Sequence, residues 1–410
     1  MHPSRDGSHP GPGEGARWSP GESGYRRLLF GLFLAGVATF AQLYSPQGLL
    51  PLVATDLQVT SHEAALLVSA ATAGLAVSVI PWSFASDRWG RRRAIAVSMV
   101  SACAFALAGG LAASFPMLLA LRFAEGLAHG GVAALAVALI VEEVESFAVT
   151  LAAGTYIAGT TLGGLSGRLV AAPLGEAFGW RAGMLVVTLV GVVCVVGFLL
   201  IAPQARHFVR RPTPLSGVVS AALENLRSPV LCAVYLQGAL LMGGFVALYN
   251  YVGFAVTAEP LGWPLSVVAL LFLAYLAGTW TSPWAGSLAM RHGRYRVLLG
   301  ASMVMAAGAL LTIVQSPFTL IPGLLLFTGA FFAAHSVASS WAGVAARGGR
   351  AQSTSLYNLG YYSGSSVFGW LAGLVFEAAG WAPTVLGIVG LVACAALVAA
   401  LFLRGGAHAG

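Results

Sequence analysis

Stretches of about twenty residues with almost no charge recur along this chain, and about that many helical residues are needed to cross a hydrocarbon core of roughly 30 Å. Apolar residues make up 58% of the 410 positions and charged residues 9%. Mean hydropathy is +0.83, outside the usual range of soluble domains, so the chain belongs in lipid. The apolar runs are continuous and do not alternate every second residue, which favours helices over a barrel. Twelve spans are predicted, at 28–52, 62–85, 94–113, 115–141, 147–172, 181–202, 229–256, 263–289, 297–314, 317–342, 352–376 and 382–403.

Every basic residue is an arginine, and there are 21 of them. Eighteen fall in the tails or in alternate loops on one side of the predicted spans, only Arg181 falls in an opposite loop, and Arg122 and Arg168 lie within spans. The positive-inside rule then places both termini in the cytoplasm of a multi-pass membrane protein. Topology accounts for the net charge of +7, so no nucleic-acid partner is needed to explain it. Residues 1–24, rich in Gly, Pro and Ser, read as a disordered cytoplasmic tail without the pattern of a cleavable signal. Cys103, Cys194, Cys232 and Cys394 lack metal-ligand spacing and read as packing residues.

The chain carries an internal repeat. A shift of 201 positions lays Tyr156 on Tyr357, Gly159 on Gly360, Gly163 on Gly364, Glu176 on Glu377, Gly179 on Gly380 and Trp180 on Trp381. A shift of 203 lays Arg88-Trp89-Gly90-Arg91 on Arg291-His292-Gly293-Arg294, with Met290 in place of the acidic residue. Six crossings separate the copies, so the halves share an orientation and are related about an axis along the membrane normal. The predicted organisation is a six-helix bundle over 25–203, a cytoplasmic linker over 204–228 containing Arg210, Arg211, Pro212 and Pro214, a second bundle over 229–403, and a short tail over 404–410.

Ser86-Asp87-Arg88-Trp89-Gly90-Arg91-Arg92-Arg93, wedged between spans two and three, must lie in water. It resembles the acidic-Arg-x-Gly-Arg-Arg/Lys signature that joins the second and third helices of major facilitator superfamily (MFS) transporters. That resemblance implies an all-α membrane fold of 12 transmembrane helices in two bundles, with Asp87, Arg88, Gly90, Arg91 and Arg92 as a gating motif on the cytoplasmic side. A topogenic role for the same arginines is the plainer alternative, and both can hold.

Span four carries Arg122-Phe123-Ala124-Glu125-Gly126, which is similar to the Arg-x-x-Gln-Gly pattern of the fourth helix of MFS drug antiporters, with Glu125 in place of Gln. Counting from Phe115 at 1.5 Å per residue puts Arg122 roughly 10 Å and Glu125 roughly 15 Å deep. Arg122, Glu125 and His129 share one helix face. A carboxyl so placed, with its proton affinity raised by burial and opposed by Arg122, is suited to load a proton on one side and release it on the other. The alternative is a permanent ion pair that only makes both charges tolerable. His129 is either a relay or a packing residue.

Span five contains Thr155 through Arg168, with Gly159, Gly163 and Gly164 as a helix-packing motif. It resembles the antiporter motif Gly-x-x-x-Gly-Pro-x-x-Gly-Gly of that helix, with Thr155 and Thr160 replacing the first Gly and the Pro. Arg168, late in the predicted span, is expected to snorkel outward, the alternative being attraction of an anionic substrate group. By the same resemblance, Gln42, Tyr44, Gln47, Tyr235, Gln237, Tyr249, Asn250, Tyr357, Asn358 and Tyr361 are candidate substrate contacts in a central cavity. Hydrogen bonding to neighbouring helices is the other reading. Hydroxyls, amides and rings with few charges suit a neutral or amphipathic organic molecule.

The chain is identified as resembling the bacterial drug and metabolite efflux branch of the MFS, including the arabinose-efflux-like permeases. The expected function is proton antiport that exports a small organic molecule, by a monomer in the bacterial inner (plasma) membrane, with no cofactor beyond the proton gradient and no metal. A proton-symport importer is the first alternative. A membrane-embedded enzyme or sensor is the second, although the sequence has no nucleotide loop, no His/Cys metal cluster and no soluble catalytic domain.

Overall fold

The computed structural model describes residues 17–208, 215–346 and 349–404. Among these, twelve long helices follow one another: α1 (Ser23–Tyr44), α2 (Ser61–Trp89), α3 (Arg91–Gly110), α4 (Phe115–Glu143), α5 (Val149–Phe178) and α6 (Trp180–Ile201) in the first half, and α7 (Pro229–Thr257), α8 (Leu265–His292), α9 (Arg294–Leu311), α10 (Pro317–Ala345), α11 (Arg350–Ala379) and α12 (Trp381–Phe402) in the second. Eleven are long and apolar enough to cross a membrane. The twelfth, α11, spans 30 residues but carries Ser353, Thr354, Ser355, Asn358 and three tyrosines. It packs between α7 and α2, which buries Ser353, Tyr357 and Tyr362 and partly covers Ser355, Asn358 and Tyr361, while Thr354 near its start is exposed.

Local signals set the boundaries. Ser114 and Ser228 accept hydrogen bonds from the backbone N–H groups of Met117 and Leu231, and each precedes a helix with proline in its first turn. Thr60 and Glu63 form a reciprocal capping box at the start of α2. Gly90 and Gly293, the glycines of the repeated loop, adopt φ of 84° and 85°, which lets the chain reverse between consecutive helices.

The halves are built alike. α1 packs on α5 and α6, α2 on α4, and α3 on α4 and α6; α7 packs on α11 and α12, α8 on α10, and α9 on α10 and α12. Contact between the halves runs mainly along α2 and α11, with a smaller seam between α5 and the start of α8. α7 is enclosed nearly all round, whereas α6 and α12 turn most of their surface outward, exposing Val193, Leu200 and Leu401 for lipid.

Close approach of α1 to α5 depends on glycine. A Cβ at Gly159, Gly163 or Gly167 would overlap the carbonyls of Phe33, Val37 and Ala41 in turn, and one at Gly364 would overlap that of Ala239 on α7. The structure corrects the predicted motif in one member: Gly164 faces Arg168, and Gly167 completes the stripe. Gly163→Ala is therefore expected to destabilise the protein by about 2 kcal/mol through overpacking, while Gly164→Ala changes stability by less than about 0.5 kcal/mol. Melting temperatures of the two variants in detergent check this.

Three expectations are revised. The first span is not one continuous α-helix: α1 gives way to a 3-10 turn at Ser45–Gly48, and a short helix follows at Leu50–Leu57. The fifth runs to Phe178, six residues beyond the predicted end at 172. The tail expected to be disordered through residue 24 ends sooner. Trp18 is buried, its backbone N–H donates to the Glu143 carbonyl at 2.7 Å, and the Arg206 guanidinium lies 3.5 Å from its ring centroid. The Glu143 carboxylate accepts the backbone N–H groups of Arg206 and His207 at 2.9 Å, so the tail, α4 and the start of the linker are tied together. Residues 1–16, the linker positions 209–214 with Arg210, Arg211, Pro212 and Pro214, and 405–410 lie outside the described residues.

Candidate functional site

Two buried clusters meet near the end of α1. The first is on α4, where Arg122, Glu125 and His129 are each 1% exposed. Arg122 Nη1 donates to Glu125 Oε2 at 2.6 Å, and His129 Nε2 lies 3.3 Å from Glu125 Oε1. Arg122 also donates to the carbonyls of Leu67 at 3.2 Å, Gln42 at 3.3 Å and Leu43 at 2.7 Å. Gln42 and Leu43 lie in the last turn of α1, where carbonyls lack intrahelical partners and the helix dipole favours a cation. Arg122 thus joins the carboxyl on α4 to the end of α1.

The second cluster surrounds Arg168 on α5. This side chain is 1% exposed, and the expectation that it snorkels is corrected. Because α5 continues to Phe178, Arg168 sits about 15 Å from the helix end, too deep to reach water. Its Nε and Nη2 donate to Gln47 Oε1 at 2.8 and 2.5 Å, Nη1 to the Gly164 carbonyl at 2.6 Å, and Nη2 to the Tyr275 hydroxyl at 3.2 Å. The rings of Tyr44, Phe272 and Tyr275 lie 4.6, 4.9 and 4.8 Å from the guanidinium carbon. Gln47 Nε2 donates to Asn250 Oδ1 at 2.6 Å, which carries the network from the first half to α7 of the second.

Of the predicted substrate contacts, Tyr44, Gln47 and Asn250 belong to this cluster, and the Tyr249 ring stands 5.0 Å from that of Tyr275. Others point elsewhere. Gln42 lies beside Cys103 and against Gly191 of α6, and Gln237 donates to the Ala395 carbonyl of α12 at 2.7 Å, so each faces its own half. Tyr235 bonds Ser353, Tyr249 bonds Thr328 and Tyr357 bonds His335, at 2.7, 2.7 and 2.9 Å. The Tyr361 ring lies 4.7 Å from His335, and Asn358 is half-buried on α11.

At the face that holds the termini, Arg91 pairs with Glu142 at the end of α4, and Arg92 donates to the Leu199 and Ala202 carbonyls at the end of α6, at 3.0 and 3.1 Å. Both cap helices of their own half. Arg88 is exposed and Asp87 half-buried at the end of α2. At the opposite face the halves are tied directly. Glu176, at the end of α5, accepts the N–H groups of Leu265 and Ser266 at 3.2 and 2.9 Å. Glu377, at the end of α11, accepts from His62 N–H at 2.9 Å and Ser61 Oγ at 3.1 Å and pairs with His62 Nδ1 at 2.6 Å.

Sequence reasoning assigned no role to Phe272, Tyr275, His62, Glu176 or Glu377. The last two did carry a signal, since the repeat superposes them.

Two like halves of long helices, closed over charged groups at mid-depth, define a multi-pass membrane transport protein. The chain belongs to the major facilitator superfamily, whose sequence profile matches residues 32–279. It is 35% identical over 381 residues to the uncharacterized MFS-type transporter YybF of Bacillus subtilis (strain 168), covering 93% of each chain. It is 36% identical over 359 residues to the inner membrane transport protein YnfM of Escherichia coli (strain K12), covering 87% of this chain and 86% of that one. The family and these relatives are transporters, not enzymes. Among solved structures, an inward-facing, occupied bacterial homologue of the human lysosomal transporter Spinster shares the fold with a TM-score of 0.77 at 16% identity, over 93% of this chain and 97% of that one. A D-xylose–proton symporter does so with a TM-score of 0.72 at 14% identity, over 93% and 97%.

Proposed function

We propose that this protein is a proton-coupled secondary transporter that exports a small amphipathic organic molecule in exchange for protons by alternating access. The observation that carries the reading is Glu125, a carboxyl shut away at mid-depth, paired to Arg122 and linked through it to the end of α1. Ionised, Glu125 holds Arg122; protonated, it releases part of that hold, and the guanidinium is left to the Leu67, Gln42 and Leu43 carbonyls. Tyr44 and Gln47 follow immediately along the same segment, so a proton gained at Glu125 alters the footing of the Arg168 cluster. The arginine distribution favours termini in the cytoplasm, and similarity to an inner membrane transport protein favours the inner (plasma) membrane. One chain supplies both halves of the cluster, which suits a monomer.

Symport is the second reading, and the buried positive charge of Arg168 favours it: a proton on Glu125 and a negative group near Arg168 would reinforce each other. The sign of proton–substrate coupling separates the two. Under antiport, affinity for the transported molecule falls as pH is lowered; under symport it rises. The experiment is flux of a labelled compound panel in proteoliposomes with an imposed pH gradient, paired with equilibrium binding across pH. Flux that ignores collapse of the gradient ends the proton-coupled reading.

A further inference from the structure

We propose that the Arg168 cluster is a docking point for a carboxylate, so that the transported molecule is an organic monoanion with an apolar body. The inference rests on reading the mid-depth clusters as the transport site. Arg122 and Glu125 neutralise each other, but Arg168 forms no ion pair among the described residues. A buried cation left uncompensated in a membrane protein is a charge kept for a purpose.

The geometry indicates how it is used. Nε and Nη2 form the side of a guanidinium that grips a carboxylate through two parallel hydrogen bonds. Here both converge on a single amide oxygen, Gln47 Oε1, at 2.8 and 2.5 Å. A neutral amide fills the fork with one oxygen where a carboxylate would supply two and a negative charge. The Tyr44, Phe272 and Tyr275 rings surround the cation, the Gly164 carbonyl and the Tyr275 hydroxyl accept from Nη1 and Nη2, and the edge that Gln47 holds is the one a carboxylate would take. They continue into an apolar wall through Phe245, whose centroid lies 5.2 Å from that of Tyr275 and 3.9 Å from that of Phe331.

An independent observation points the same way. Asn250, bonded to Gln47 through Oδ1, is 1% exposed, and its Nδ2 has no hydrogen-bond partner; nor does Oγ of Ser69, which is 3% exposed. Both atoms border Gly369, where an added Cβ would stand 3.3 Å from Asn250 Nδ2 and 3.7 Å from Ser69 Oγ. These are unused polar groups beside the residue that must swing when Gln47 yields the fork. Binding of a carboxylate therefore displaces Gln47 from Arg168 and loosens its 2.6 Å bond to Asn250, which joins the two halves.

The test is equilibrium binding to the purified full chain in detergent, with no gradient, using benzoate, hexanoate, their neutral amides benzamide and hexanamide, and phenylphosphonate, read by calorimetry and by ligand-induced shift in melting temperature. At least one carboxylate is expected to bind and to exceed its amide about 10- to 100-fold, the worth of a charge-assisted bidentate contact. Arg168→Gln should abolish that preference, Arg168→Lys should weaken it, and Gln47→Leu, which clears the fork, should strengthen carboxylate binding. The proposal is overturned if carboxylates bind no better than their amides, if none binds, if phenylphosphonate is preferred over every carboxylate, or if Gln47→Leu abolishes binding in a protein that still folds. Should Arg168→Gln fail to fold, the amide comparison on the unaltered chain and the Gln47→Leu variant decide alone. Because no gradient is involved, failure here leaves proton coupling standing, and carboxylate binding with gradient-independent flux removes proton coupling alone.

Discussion

Replacement of Glu125 by Gln should reduce gradient-driven transport in proteoliposomes to the level of liposomes without protein, while the protein still folds and reorients. Gln is nearly isosteric with a protonated Glu, so the variant is held in the proton-loaded condition and cannot convert a pH difference into net movement. A cost in stability accompanies this. Arg122 loses its carboxylate partner but keeps three carbonyl acceptors, so the loss should be about 3 kcal/mol, the low end for breaking a buried pair. The variant also separates the two coupling modes. Under symport it binds the transported molecule and exchanges it across the membrane; under antiport binding itself is weakened, because the proton and the molecule compete. Undiminished gradient-driven flux in Glu125→Gln would remove Glu125 from the coupling mechanism.

The features most legible in the sequence depend on the backbone or on net polarity. The repeat was visible because Gly159, Gly163, Gly360 and Gly364 are held by contact with the carbonyls of a neighbouring helix, and a side chain there has nowhere to go. Arg122, Glu125 and His129 were legible because i, i+3 and i+4 spacing puts groups on one helix face whatever surrounds it. Arg168 was misread for a traceable reason. A span ending at 172 places the arginine near water. In the structure Glu176 is occupied by two backbone N–H groups of the other half, and the helix continues beside it. The partner that makes the carboxylate tolerable is distant in sequence, and hydropathy along one helix does not report it.

Azimuth was the other missing quantity. Gln42 and Gln47 are five residues apart, which on a regular helix already turns them about 140° from one another; Gln42 faces α6, and Gln47, within the 3-10 turn at Ser45–Gly48, faces α7. Gln237 likewise turns toward α12. No pattern of amides in the sequence distinguishes a side chain that lines the seam between halves from one that bonds within its own half.

Joint replacement of Glu176 and Glu377 by Gln should open the face opposite the termini. Each carboxylate sits at the end of one helix and caps the start of a helix in the other half, α5 to α8 and α11 to α2. The two positions superpose under the same shift of 201 that aligns the packing glycines, so the pair forms one symmetric latch. A helix start presents unpaired N–H groups and the positive end of the dipole, which an ionised carboxylate satisfies better than an amide. Capping contributes about 1 to 1.5 kcal/mol per site, and the two sites share no partner, so their effects should add. Losing both shifts the balance between closed and open arrangements by about 2 to 3 kcal/mol, roughly 30- to 150-fold. Spin labels on the exposed positions Gln58 and Ala258, one in each half, should report a longer distance in the double variant and an intermediate population in each single one. If the distance distribution of the double variant matches that of the unaltered protein, the carboxylates cap helices without holding the halves together, and closure of that face must come from the packing of α2 on α11 and of α5 on the start of α8.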